Sequence, residues 1–75
     1  MDMATERQAI EIERSGSMER LREAARRLKM SGKPQKVLRV PQKDMAKAAR
    51  AMKDIGVSGT VKNLSGTKQR WVKGK

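Results

Sequence analysis

Seven basic side chains and one indole, all in the second half of the chain, are the residues whose types and spacing bear on chemistry. Lys43, Lys47 and Arg50 recur at spacings of four and three, which sets them on one stripe of a helix. Lys62, Lys68, Arg70 and Lys73 follow, and Trp71, the only aromatic residue, stands among them. Such cations can replace the counterions of a phosphate backbone, and an indole can stack on an unpaired base. Lysine outnumbers arginine in this half, which fits point-charge contact with phosphates better than bidentate reading of guanine. Affinity with modest sequence preference is therefore expected. Trp71 has a second reading: with no Phe or Tyr available, it is the one large side chain that could fill a core, and that reading is favoured.

The charge of the whole chain points the same way. Nineteen Lys and Arg stand against eight Asp and Glu, a formal net charge of +11. Residues 1–32 carry seven basic and six acidic side chains, hence +1; residues 33–75 carry twelve basic side chains against Asp44 and Asp54 alone, hence +10. Self-repulsion of that size opposes compaction, so a chain that keeps it is expected to meet a polyanion in use.

Catalysis has little to work with. There is no His and no Cys, and the N-terminal carboxylates alternate with arginines rather than pairing in an apolar setting. Gly66-Thr67-Lys68 puts the last two residues of a phosphate loop in the wrong order. No enzyme activity, no metal, no cofactor and no small-molecule substrate is expected. The opening residues contain no apolar run for a signal or a span, and Met45 and Met52 alone would anchor poorly on a membrane surface. A small fold without cysteine is expected in the cytoplasm.

The elements that must position these residues follow from punctuation and periodicity. Residues 1–17 read as an arm or a short helix, with Thr5 and Gln8 as a capping box. Met18, Leu21, Ala25 and Leu28 form the stripe of a helix over 18–30, capped by Ser17 and ended by Ser31-Gly32. A linker over 31–35 leads to a strand over 36–40, closed by Pro41. Met45, Ala48, Ala49 and Met52 then predict a helix from about 42 to 54. Residues 60–63 and 68–73 read as a hairpin turning at Leu64-Ser65-Gly66. The expected fold is a small single α+β domain: an N-terminal helix, then a basic β-α-β-β module over 36–75, the helix packed on a small antiparallel sheet; a winged-helix-like hybrid with the hairpin as wing is compatible with parts of this reading and of its alternative. The alternative is all-α, because AKAARAMKDIGVSGTVKNL resembles a helix-turn-helix; Gly59 and Ser65-Gly66 argue against it.

Two functions are compatible with this reading. The first is a nucleic-acid-binding regulator of DNA or RNA, of the kind phages and other mobile elements encode, gripping phosphate through Lys43, Lys47, Arg50, Lys62, Lys68, Arg70, Trp71 and Lys73. The second is an interaction factor or inhibitor that docks on an acidic surface of a larger assembly such as a polymerase, nuclease complex or ribosome. Met18, Leu21, Ala25 and Leu28 would then be its interface, or that of a homodimer.

Overall fold

Alternating and β-branched runs become strands here, and the two stripes of helical period become helices. The computed structural model describes residues 7–74, together with the backbone of Met3–Ala4. In chain order the elements are β1 (Met3–Ala4), β2 (Gln8–Ile12), α1 (Met18–Met30), β3 (Gln35–Val40), α2 (Met45–Ile55), β4 (Gly59–Asn63) and β5 (Gln69–Val72), with a 3-10 turn over Gln42–Asp44 leading into α2. The strands form one sheet in the order β1-β2-β3-β4-β5. β2, β3 and β4 run parallel, while β1 and β5 flank them antiparallel.

Each parallel step needs a crossover, and α1 and α2 supply the two. Both crossovers step in the same direction across the sheet, so right-handed connection puts both helices on one face. There they pack on each other and on the strands. A single apolar cluster joins Leu21, Ala25 and Leu28 of α1, Ala48 and Met52 of α2, and Leu38, Val40, Val61 and Val72 of the sheet. Alanines at 24, 25, 48, 49 and 51, all buried, keep the helices close to each other and to the strands. The second face of the sheet has no layer over it among the described residues.

The helix over 18–30 lies where its spacing predicts. The Ser17 hydroxyl accepts a hydrogen bond from the Arg20 N–H at 3.4 Å, the side-chain cap expected of serine. α2 ends on Gly56 at φ 81°, where the Gly56 and Val57 N–H groups both return to the Met52 carbonyl. The α+β class and the hairpin also agree with expectation, but the N-terminal segment does not. Residues 8–12 form a strand instead of a helix; Thr5, read as the helix cap, lies outside the described residues. Alternate residues Ala9 and Glu11 are buried on the helix side while Ile10 and Ile12 face the other way, and the long-range ladder to β3 prevails over local helix preference. The central pairs are accordingly parallel rather than antiparallel. The helix-turn-helix alternative fails because residues 59–63 pair with β3 as a strand.

Two polar features tie β2 to α1. Glu11 lies buried on the helix-covered face, and Arg27 of α1 reaches it with Nε at 2.7 Å from its Oε1, a charge-assisted bond across the layer. Just beyond the strand, Glu13 Oε2 accepts the Ser15 N–H at 3.0 Å. The Ser15 hydroxyl first, then that N–H, hold the Glu13 carboxyl below the ordinary carboxylate range, with smaller help from Arg20 and Arg27. A folded-state pKa that is depressed contributes stability above the unfolded-state value, and this is lost as the pH falls through the folded value. Ser15→Ala is expected to raise the Glu13 titration midpoint, followed by carboxyl carbon NMR, while the remaining N–H keeps it below that of the unfolded chain.

Candidate nucleic-acid interface

Successive side chains of a strand point to opposite faces, so the register across the sheet fixes what the uncovered face displays. Leu38, Val61 and Val72 lie in the helix-covered core, and their strand neighbours therefore face the other way. One row across the uncovered face is Ile10, Val37, Thr60 and Trp71, neighbours through the ladders β2·β3, β3·β4 and β4·β5. The next row is Ile12, Arg39, Lys62 and Gln69. Val37, in the middle strand, is buried there although it belongs to no part of the helix-side core. The result is an apolar row that ends in an indole, with a row carrying two cations beside it.

Trp71 is 68% exposed, which corrects the expectation that it fills the core. The physical reason is alternation. Only one of the adjacent pair Trp71 and Val72 can point under the helices, and Val72 does, opposite Gly59 where the layers approach closely.

Arg39 is held in place on this face. Its Nη2 donates to the Leu64 carbonyl of the β4–β5 turn at 2.6 Å, while its Nε is buried without a hydrogen-bond partner among the described residues. The turn itself is rigidified by Asn63, which is buried; its Nδ2 donates to Thr67 Oγ1 at 2.9 Å and its Oδ1 accepts the Lys68 N–H at 3.1 Å. Asn63 is thus engaged in the turn and not turned outward to a ligand.

The two faces differ in where the carboxylates lie. Glu11 is on the covered face, Glu13 follows it in the loop, Glu19 and Glu23 lie on α1, Asp44 precedes α2 and Asp54 is near its end. No carboxylate among the described residues lies in either row of the uncovered face. The outer surface of the helix layer is mixed by contrast, with Arg22 paired to Asp54 at 3.3 Å and Glu19 and Glu23 exposed.

The basic residues singled out in the sequence divide between these surfaces. Lys62 and Trp71 lie on the uncovered face, and the alternation of β5 continued one residue directs Lys73 to that side. Lys43, Lys47 and Arg50 are exposed on the helix layer, where Lys47 Nζ also donates to the Gly16 carbonyl at 3.4 Å. Arg70 is exposed on β5 and points to the helix side, its partner being Val61; Lys68 is exposed at the turn. Helix and hairpin cations therefore do not form one surface. The proposed protein interface fares differently: Leu21, Ala25 and Leu28 are fully buried and Met18 packs against the same core, so this stripe is spent inside the domain. Sequence reasoning missed Arg39, Ile10 and Ile12, and the signal available for them was the period-two alternation of their strands.

The chain matches no protein-family model, no curated protein and no solved structure.

Proposed function

We propose that this protein is a small non-enzymatic nucleic-acid-binding protein, a regulator of the kind phages and other mobile elements use, which meets the phosphate backbone through basic side chains of its C-terminal half. The observation that carries this reading is the single sign of the uncovered sheet face. Arg39 and Lys62 lie together there beside an exposed indole, no described carboxylate shares the face, and residues 33–75 hold +10 of the chain's +11. Surface charge of one sign raises the local concentration of a polyanion and speeds its encounter. Docking on an acidic protein through the α1 stripe is the weaker reading, because those side chains already form the core.

The test is binding of the purified chain to labelled duplex DNA, single-stranded DNA and structured RNA, followed by fluorescence anisotropy at several salt concentrations. The expected result is a linear fall of log affinity with log salt, of a slope that corresponds to about four to eight phosphate contacts on the preferred class. Weak binding to all three near physiological salt overturns the proposal.

A further inference from the structure

We infer that the uncovered sheet face binds single-stranded nucleic acid, with a base stacked on Trp71 and neighbouring phosphate held by Arg39 and Lys62. This inference rests on the nucleic-acid reading and adds the class of strand and the mode of contact.

Three observations carry it. The first is the exposed indole. A large apolar side chain left mostly in water forgoes the gain of burial, and Trp71 is the exposed member of its row, in which Val37 is buried and Ile10 and Thr60 are half-buried. A nucleotide pairs a flat, apolar base with an anion a few ångströms away. The face sets the exposed indole of Trp71 beside a row that carries the two cations Arg39 and Lys62, two residues along the strands.

The second is the breadth of the surface. Four strands abreast at about 4.8 Å per step set the outer backbones roughly 14 Å apart before side chains are counted. The major groove of duplex DNA is about 12 Å wide and admits a helix or a two-stranded ribbon. This face, four strands abreast, is too broad to enter it, and a paired duplex offers no free base face to Trp71. Bases of a single strand can splay onto such a surface.

The third is charge complementarity, which also separates a nucleic acid from a second copy of the chain. Two copies related by a two-fold axis would bring the same face against itself. Arg39 and Lys62 would then oppose like charges, with no described carboxylate on the face to offset them, and each copy would add +11. A phosphodiester chain meets the same cations with opposite charge. The Arg39 guanidinium is moreover fixed by its bond to the Leu64 carbonyl at 2.6 Å, so less freedom is lost when its other N–H groups donate to a phosphate.

Trp71 is the only aromatic residue of the chain, so its emission reports this face without background. The full chain is titrated with a twelve-nucleotide oligothymidylate, a twelve-nucleotide oligouridylate and a twelve-base-pair DNA duplex, alongside Trp71→Leu, which keeps an apolar side chain at an exposed position. The single strands are expected to quench Trp71 saturably. Trp71→Leu should bind them about 5- to 150-fold more weakly, the range that loss of one base-aromatic stack produces, while its duplex affinity stays as in the parent. Preference between the thymidylate and the uridylate, which differ in the C5 methyl and the 2′-hydroxyl, then ranks the two strands, and an oligodeoxyuridylate separates the two groups.

Single-strand binding undiminished by Trp71→Leu, or tighter duplex binding with unchanged emission, overturns the stacking inference and leaves the nucleic-acid reading standing. Absence of binding to all three oligonucleotides removes both. Concentration-dependent dimerisation in sedimentation, with Trp71 quenched before any oligonucleotide is added, also overturns it and assigns the face to self-association.

Discussion

Gly59→Ala is expected to lower the melting temperature by roughly 12–24 °C, whereas Gly56→Ala, three residues earlier, should lower it by only about 4–8 °C. These figures follow from costs of about 3 and about 1 kcal/mol, at about 4–8 °C per kcal/mol in a domain of this size. The two glycines serve different needs. Gly56 supplies φ 81° for the end of α2, and a Cβ there would meet only Lys29 Nζ at 3.7 Å, so alanine suffers conformational strain and nothing more. Gly59 has an ordinary backbone conformation, but a Cβ there would run into the Lys36 carbonyl of β3 and lie 3.0 Å from Met52 Cε of α2. The carbonyl belongs to a central strand bonded on both sides, so it cannot yield without shifting a ladder. Total stability of about 0.05–0.15 kcal/mol per residue leaves little reserve in so short a chain. Circular dichroism melts of the two variants check the contrast, and equal shifts would mean that the close approach of β3, β4 and α2 is less tight than described.

What could be read from the sequence was the part governed by local period and punctuation. The stripe of Met18, Leu21, Ala25 and Leu28 gave α1 its limits because Ser17 and Ser31-Gly32 bound it directly, and the glycines of residues 56–66 correctly argued for a hairpin. Gln8–Ile12 was illegible for a physical reason. Five residues between a plausible cap and the Ser15-Gly16-Ser17 break suit either period, and the pairing that decides is with Gln35–Val40, across α1. Without β2 the first crossover and its ladder are out of reach, whereas the β3·β4 ladder is implied by the strand-helix-strand order of residues 36–63, which the antiparallel expectation overlooks. The candidate site was legible in its charge and in Lys62, Trp71 and Lys73, but not in its location. Arg39 sits between two buried residues of β3, and only the sheet's register brings it beside Lys62. Helix spacing made Lys43, Lys47 and Arg50 the most conspicuous cations in the sequence, yet they lie on the layer opposite the indole.

That separation makes the location of binding testable at constant charge. Lys62→Glu with Lys73→Glu removes two cations beside Trp71, and Lys47→Glu with Arg50→Glu removes two from α2. Each pair lowers the net charge by four, from +11 to +7, so a response to net charge alone would be equal. If the uncovered face is the interface, the first pair loses two phosphate contacts, and each contact contributes about 0.7 to the salt slope on a single strand. A slope smaller by about 1.4 amounts to about a 25-fold loss between 1 M and 0.1 M salt, to which repulsion by the new carboxylates adds. The α2 pair lies beyond the helix layer in a molecule 29 × 24 × 19 Å across. Packed layers lie about 10 Å apart, a full screening length at 0.1 M salt, so its effect should stay within about threefold. Anisotropy titrations of both pairs against the oligothymidylate, at two salt concentrations, decide the matter. Equal losses would mean that the strand follows diffuse charge around the whole domain, and a larger loss from the α2 pair would move the interface to the helix layer.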